Sequence, residues 1–131
     1  MRAETIYKLA SAILFEKPGA DQLFQTFFPS LLNLLLQEAL PYENAAREAA
    51  GGRPLPQAAS IETLEDDVPY CDALCALALP YGVAAYYFQD ETDDYKSQDF
   101  RARYLTALRD AAPCVFSPVE DCYGGTASCR R

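Results

Sequence analysis

Residues 79–91 read LPYGVAAYYFQDE, an apolar stretch that has the pattern of a helix but contains a proline and a glycine. Relative to alanine, these two residues cost about 3 and about 1 kcal/mol in a helix interior. Pro80 removes the backbone bond to the carbonyl of Ala76 and predicts a bend. Gly82 predicts the close approach of another backbone at that bend. We therefore expect a bent helix that lies against close neighbours.

The helix around this stretch, which we place at residues 69–89, is apolar on every face. Leu77 and Phe88 lie on one face, while Tyr86 and Tyr87 make other faces apolar too. A helix of this kind needs partners on all sides. They can come from the same chain or from neighbouring subunits of an oligomeric ring, and we favour the second source.

A leucine-rich helix precedes this segment, with Asp21 as a suitable N-cap. Its apolar stripe is so wide that one neighbour would not cover it, which indicates a central position or contact with another subunit. Pro29 predicts a kink, and Pro41 predicts the end of the helix or a second bend. A short polar helix at 42–50 follows, closed by the glycine pair 51–52.

These two helices supply the side chains that we expect to contact a partner or another subunit. Tyrosine is enriched at protein interfaces, because its ring buries apolar area while its hydroxyl can still meet water. Neighbouring leucines widen the stripe of the earlier helix. The expected contact residues are Tyr81, Gly82, Tyr86, Tyr87, Leu34 and Leu36, and the expected structural bends are at Pro80 and Pro29.

Two more segments, at residues 3–16 and 92–112, carry apolar residues at intervals of three and four, which predicts amphipathic helices. Prolines at 54 and 56 force an extended course, so residues 53–68 hold at most one short strand. The predicted fold is all-α, a four- to five-helix single domain at residues 1–112 with kinked central helices and an extended segment at about 53–68. Residues 113–131 lack periodicity and predict a flexible C-terminal tail.

The composition argues against several classes of function. A net charge of −8 and a pI near 4.4 disfavour a protein that coats DNA or binds an anionic membrane, since both need a basic face. No apolar run reaches the roughly 20 residues that span a bilayer. Glu4 stands where a secretory signal would have apolar residues. We therefore expect a protein that is made and used in the cytoplasm.

Catalysis and metal binding find little support in the sequence. The chain has no histidine, the commonest general base, and no nucleotide-binding or nucleophile motif. Acidic groups at 65–67 and 90–94 could bind a divalent cation, but acids in the first turn of a helix already have a structural cause, which we favour. We expect no catalytic residue, no cofactor and no metal site, and we do not predict an enzyme.

The five cysteines are interpreted as free thiols. An odd number excludes a complete intrachain disulfide framework, and the spacings C-x3-C and C-x7-C-x6-C are poor zinc templates in a chain without histidine. Cys71 and Cys75 share one helix face and are expected to be buried. Cys114, Cys122 and Cys129 fall in the predicted tail.

Four stretches of the chain form a pattern that is shared with one family. They are LLNLLLQEAL at 31–40, an I-x-x-L-x-D-x-V-P stretch at 61–69, ALPYGVAA at 78–85, and an F-x-x-x-Y-x-x-x-L helix at 100–108. An acidic turn separates the last two. This pattern, within roughly residues 20–110, resembles the small helical connector proteins that are encoded beside capsid genes in tailed phages and prophages of Gram-positive bacteria.

The resemblance implies a head–tail adaptor, or head-completion protein, of the phage neck. Such subunits form a homo-oligomeric ring under the portal and join it to tail-side proteins, without any enzymatic role. DNA passes through the central channel only as cargo, and no membrane takes part. The implied location is the cytoplasm of the bacterial host during assembly, and the virion if the prophage is active.

Two other functions stay open at this point. One is a helical protein-interaction module, such as a regulator or chaperone adaptor, that binds a partner helix in a groove. The other is a small metal-dependent hydrolase that uses the acidic groups. The acidic charge fits a ring around DNA, because like charge keeps the passing DNA from binding to the channel. We favour the connector.

Overall fold

The computed structural model describes residues 1–112 as a helical domain, which confirms the predicted all-α class. Among those residues, β pairing is limited to an isolated antiparallel bridge between Arg2 and Asp67. The predicted flexible tail at 113–131, with its three cysteines, lies outside the described residues. The helices are α1 (Ala3–Ile13), α2 (Gln22–Ala49), α3 (Leu79–Asp90) and α4 (Asp94–Ala111), and a π-helical segment (Leu74–Ala78) leads directly into α3.

α3 lies at the centre of the domain, where it contacts α1, α2 and α4. Residues 82–85 are all buried, and so are Leu79 and Pro80. A helix in this position meets apolar neighbours on each of its faces. The apolar character of α3 therefore has a sufficient cause within one chain and does not require the neighbouring subunits that we favoured.

The π-helical segment explains how the chain accommodates Pro80. The backbone N–H of Leu79 bonds to the carbonyl of Leu74, five residues earlier, rather than to the carbonyl four residues earlier. This wider turn comes immediately before the proline, which has no N–H to donate. Such π turns are a recognised cause of helix kinks. The irregularity predicted at Pro80 thus takes the form of a changed hydrogen-bond pattern as well as a missing bond.

Gly82 is a close-contact position, but its neighbours differ from those we predicted. A Cβ atom added there would lie 2.8 Å from Leu35 Cδ1 and 3.1 Å from Tyr104 Cδ2. The close approach is therefore made by side chains of α2 and α4, and not by another backbone. Gly82 leaves room for a buried leucine and a buried tyrosine to pack over the start of α3.

The third helical stretch begins at Asp72 rather than at Pro69, because the residues before it are tied to α2. Arg47 Nη2 donates to the carbonyl of Pro69 at 2.7 Å. The hydroxyl of buried Tyr70 donates to the carbonyl of Leu36, also at 2.7 Å. These bonds hold the chain in a non-helical course at the position where we expected the first turn.

A carboxylate from α2 lies at the start of this helical stretch. Buried Glu43 accepts from the backbone N–H of Cys71 at 2.8 Å and from Arg47 Nε at 2.7 Å. The acids at 65–67, which we expected at this helix N-terminus, instead lie in the preceding extended segment. Glu43 takes the place that we assigned to them, since it satisfies an N–H beside the first turn.

α2 is one continuous helix of 28 residues, so the predicted end near Pro41 and the separate helix at 42–50 are wrong. The helix is also continuous through Pro29. Pro41 is exposed, so its ring displaces no core side chain. Buried side chains continue on both sides of it, at Ala39 and Glu43. Packing on that face outweighs the loss of one backbone bond.

α1, α2 and α3 end in the same backbone motif, in which one residue after the helix adopts a positive φ. These residues are Phe15, Gly51 and Thr92, with φ values of 57°, 80° and 57°. In each motif the next N–H bonds to a carbonyl five residues back, at 2.8–3.0 Å. α1 consequently ends at Ile13 and not at residue 16, whereas the predicted closure at 51–52 is confirmed.

Residues 53–68, which we call the strap segment, run along α2 and contain no strand. Two asparagines of α2 hold it by its backbone. The amide of Asn33 donates to the carbonyl of Ile61 and accepts from its N–H, both at 2.8 Å. Asn44 makes the same pair of bonds to Leu55, at 3.2 and 2.7 Å. The strap segment therefore runs antiparallel to α2.

The end of the strap segment is bonded to α1. The N–H of Ala3 donates to the carbonyl of Asp66 at 2.9 Å, and that of Glu4 donates to the carbonyl of Leu64 at 2.7 Å. These bonds satisfy N–H groups that the first turn of a helix leaves without partners. The strap segment thus joins α1 to α2 through backbone hydrogen bonds.

Candidate interaction surface

The outward face of α2 carries an unusual row of apolar side chains, three of them exposed and one, Leu31, half-buried, which we call the outer stripe. It consists of Leu23, Phe27, Leu31 and Leu34, whose spacing of four, four and three residues places them on one helical face. Leu23, Phe27 and Leu34 are exposed by 70, 56 and 57 %. The opposite face of α2 fills the core, so the helix is apolar on two sides.

Part of the outer stripe lines a groove between α2 and α3 with a volume of about 630 Å³, the α2–α3 groove. Its walls are mostly apolar and aromatic, and polar groups lie at one end. The lining residues are Leu23, Phe24, Phe27, Leu31, Tyr86 and Tyr87, together with Asp21, Gln89, Asp90 and Glu91.

Carboxylates surround one end of this groove. The Tyr87 hydroxyl donates to Glu16 Oε1 at 2.7 Å. This bond raises the pKa of Tyr87 above its usual range, and burial and the charges of Glu16, Glu91 and Asp21 raise it further. Among residues 1–112, no lysine or arginine lines the groove. The groove therefore combines apolar walls with a negative potential.

The residues that we predicted as partner contacts divide into two groups. Leu34 is exposed on the outer stripe, and Tyr86 and Tyr87 are half-buried in the α2–α3 groove. Leu36 and Gly82, in contrast, are buried in the core of the chain, where the packing of α2, α3 and α4 leaves them no access to a partner.

Tyr81 lies apart from the others, on a second groove of about 530 Å³ between α4 and the π-helical segment. Its ring stacks on that of Phe100, with the ring centres 6.0 Å apart. Leu77 lies in the same groove and is 62 % exposed. Partner contact by Tyr81, Tyr86, Tyr87 and Leu34 stays a prediction.

The two N-terminal members of the outer stripe, Leu23 and Phe27, were not among the contact residues that we predicted. A signal for them was present in the sequence, because the apolar positions of α2 form two interleaved series. One series fills the core at Phe24, Phe28 and Leu32, and the other begins one residue earlier in each turn. The width of the stripe was evident from the sequence, but its division into a buried and an outward half was not.

The acidic residues near helix ends have structural partners. Asp21 accepts from the N–H of Phe24 and Asp93 from that of Lys96, each at 3.1 Å, which makes them the N-caps of α2 and α4. Both agree with the predicted role of acids at helix N-termini. In the residues that the structure describes, no three Cys, Asp or Glu side chains come together as a metal-binding group.

Asp66 organises a turn within the strap segment. Its carboxylate accepts from the backbone N–H groups of Thr63 and Glu62, at 2.9 and 2.8 Å. These two bonds lower the pKa of Asp66, because they favour its charged form. Asp66 therefore serves the local backbone rather than a helix dipole.

Cys71 and Cys75 are both free thiols. Cys75 is fully buried, as predicted, and burial raises the pKa of its thiol to about 12. Cys71 is only half-buried, and burial also raises its pKa. The expected burial is thus confirmed for Cys75 and only partly met by Cys71. High pKa values keep both thiols protonated and weakly nucleophilic near neutral pH.

Comparisons with known proteins found no matching family model, no similar curated protein and no similar solved structure. Among the helices of residues 1–112, none combines the length and the apolar character needed to cross a bilayer.

Proposed function

We propose that this protein is a structural subunit of a phage or prophage neck, which joins the portal to the tail as part of an oligomeric ring and has no catalytic role. The observation that carries the proposal is the outer stripe of α2. The sequence pattern supports it, because LLNLLLQEAL at 31–40 is the leucine-rich stretch of the connector resemblance and includes the end of this stripe.

An exposed apolar row of this kind calls for a covering surface. Monomeric proteins rarely expose large contiguous apolar patches, and those that occur are often interaction sites. The core of this chain does not need the row, because the opposite face of α2 already packs against α3 and α4. A subunit built in this way can fold alone and still present an apolar helix to its neighbours.

The electrostatics are compatible with a ring through which DNA passes. A net charge of −8 disfavours lasting contacts with phosphates, and a channel works best when its cargo does not bind to it. Affinity between subunits then has to come from apolar contact and shape rather than from the net charge, since copies of one acidic chain repel each other. The Leu34 end of the outer stripe, which lies outside the α2–α3 groove, offers such contact.

The test is assembly with the portal protein that is encoded in the same genome. Light scattering and negative-stain electron microscopy would follow the association of the two proteins. We expect the wild-type protein to join the portal as a ring and Leu34→Ser to remain unassembled with an unchanged circular dichroism spectrum. Gln37→Ser, an exposed polar change one turn further along α2, is the matched control and should assemble normally.

Two results would contradict the proposal. The first is a wild-type protein that never associates with the portal protein under any ionic condition tried. The second is a Leu34→Ser variant that assembles as readily as Gln37→Ser, because the outer stripe would then not be the subunit contact.

A further inference from the structure

We propose that the α2–α3 groove binds an amphipathic helix of a partner protein, with apolar residues facing the groove and lysine or arginine residues beside them. The inference deepens the proposed function, on which it rests for the identity of the partner as a member of the same assembly. It assigns to the groove a ligand of defined chemistry, a basic amphipathic helix.

The walls of the groove suit the side of a helix. Leu23, Phe27 and Leu31 repeat at intervals of four residues along α2, so they form a straight apolar wall. Tyr86 and Tyr87 of α3 form the other side. Helices that dock in grooves bury side chains at positions i, i+3 or i+4, and i+7, which is the same repeat.

The groove is also supported from below. The ring of Phe24, at its base, packs against Tyr7, Phe28 and Tyr87, with ring centres 5.7, 6.1 and 5.4 Å apart. The Tyr87 hydroxyl is held by Glu16, so its ring has a fixed position too. Because the side chains of the site are already held in place, they lose less conformational entropy when a ligand binds.

Charge selects the occupant. Asp21, Asp90 and Glu91 line the groove, and Glu16 lies beside it on Tyr87. A helix with basic side chains at its edges would complement these carboxylates, and complementary charge favours the right partner and the right orientation. A second copy of this chain, docked groove to groove, would bring the same carboxylates together and repel.

The probe is a synthetic 18-residue helical peptide, with leucine and one tryptophan on its apolar face, lysine elsewhere, and blocked ends. The protein has no tryptophan, so tryptophan emission reports the peptide alone. We expect saturable binding with a blue-shifted emission. Phe27→Ser should weaken it about tenfold or more, as loss of a central aromatic anchor does. Leu77→Ser, at a residue that is exposed to a similar extent but lies in the other groove, should leave the binding unchanged.

The charge of the rim is tested separately. Asp90→Asn with Glu91→Gln should weaken binding by a fewfold factor and flatten its dependence on salt, because salt screens exposed charges. Glu62→Gln with Glu65→Gln removes the same charge from the strap segment and should have little effect. A peptide with glutamate in place of lysine should not bind.

Equal binding of the peptide by Phe27→Ser and Leu77→Ser would overturn the inference. Equal effects of the double variants at residues 90–91 and at residues 62 and 65 would also overturn it, since the binding would then be non-specific attraction. The inference would also be overturned if the wild-type protein forms a dimer that Phe27→Ser dissociates, because the groove would then be occupied by a second copy of this chain. If the wild-type protein does not bind the peptide but still assembles with the portal, only this inference is contradicted and the proposed function stands. If the peptide binds but the protein does not assemble with the portal, the inference about the groove is supported and the connector function is contradicted. The protein would then be an interaction module.

Discussion

Single residues at the helix ends show how this chain deals with one recurring backbone requirement. α1, α2 and α3 each finish with a residue of positive φ, but only α2 uses a glycine there. The left-handed conformation costs an ordinary residue roughly 1 kcal/mol, because its Cβ crowds the following carbonyl. Phe15 and Thr92 therefore carry a local strain that Gly51 avoids.

We predict that Phe15→Gly stabilises the protein by about 1 kcal/mol. The Phe15 side chain is 98 % exposed, so its removal loses no packing against residues 1–112. Thermal unfolding followed by circular dichroism would measure the gain. Gly51→Ala is the reciprocal control and should lower the melting temperature. A lower melting temperature for Phe15→Gly would show that Phe15 makes a stabilising contact that outweighs its strain.

The hydroxyl of Tyr104 is buried without a hydrogen-bond partner among residues 1–112. Burial raises the pKa of this phenol well above its usual range, which keeps the group neutral. We predict that Tyr104→Phe stabilises the fold by about 1 kcal/mol, because an unsatisfied buried polar group costs about 1–3 kcal/mol. Urea denaturation would measure the change.

Tyr70→Phe is the matched control for that experiment, because the Tyr70 hydroxyl is also buried but bonds to the carbonyl of Leu36. It should lower the free energy of unfolding by about 1 kcal/mol. If both variants were destabilising to the same extent, the hydroxyl of Tyr104 would have a partner in solution.

At the scale of elements, the packing of α3 against α2 and α4 depends on the missing side chain of Gly82. We predict that Gly82→Ala costs about 1–3 kcal/mol, because the new methyl group would overlap Leu35, whose side chain is buried and cannot move aside freely. Leu35→Ala should cost less in the Gly82→Ala chain than in the wild type, because the shortened side chain leaves room for the new methyl group. A double-mutant cycle by urea denaturation would give the coupling between the two sites.

If the free-energy changes of Gly82→Ala and Leu35→Ala simply add, the backbone of α3 shifts to make room for the methyl group and the two sites are not coupled. A neutral Gly82→Ala variant would remove the steric account of this glycine altogether.

The attachment of the strap segment to α2 gives a second prediction at this scale. Asn33→Ala should release the backbone amide of Ile61, and Asn44→Ala that of Leu55, so that each variant speeds hydrogen exchange at its own site. Asn33→Ala should also cost about 1–3 kcal/mol, since it leaves buried backbone groups of Ile61 unpaired. Exchange measured by nuclear magnetic resonance would distinguish the sites.

Equal acceleration at both amides in either variant would indicate that the strap segment detaches as a unit. Unchanged exchange in both variants would contradict the assigned role of the asparagines.

These elements also show what the sequence could and could not predict. Helical periodicity was sufficient to locate α1 to α4 within residues 1–112, and Asp21 was recognised as an N-cap because the cap is a local feature. The continuity of α2 through Pro41 was not predictable from local propensity, since it depends on core contacts on either side of the proline. The same holds for Glu43, whose burial depends on the distant N–H of Cys71.

Of the contact residues that we predicted, Leu34, Tyr86 and Tyr87 lie at an accessible surface, and their contact with a partner stays a prediction. Leu36 is buried, because an apolar row alone does not say which of its sides faces the core. That choice is made by the tertiary position of α2 against α3.

At the scale of the whole molecule, one core joins the four α-helices of residues 1–112 and the strap segment. Its members come from α1 (Ile6), α2 (Leu32), the strap segment (Ile61), α3 (Val83) and α4 (Leu108). We predict a single cooperative unfolding transition, because no part of this core is complete without the others.

Far-ultraviolet circular dichroism reports the helices, and the near-ultraviolet signal reports buried tyrosines that lie in different parts of the fold. Thermal midpoints from the two signals should coincide. An earlier loss of the near-ultraviolet signal would show that side-chain packing fails before the helices do, and would contradict the prediction.

The two asparagine anchors also have a consequence for the evolution of chain length. The eleven steps from Asn33 to Asn44 cover about 17 Å of helix, at about 1.5 Å each. The six steps from Leu55 to Ile61 can reach about 20 Å when extended, at about 3.3–3.6 Å each. Deletion of two residues here would leave the segment too short to keep both anchors, whereas an insertion could loop out at little entropic cost. Descendants of this sequence can therefore lengthen this stretch far more easily than they can shorten it.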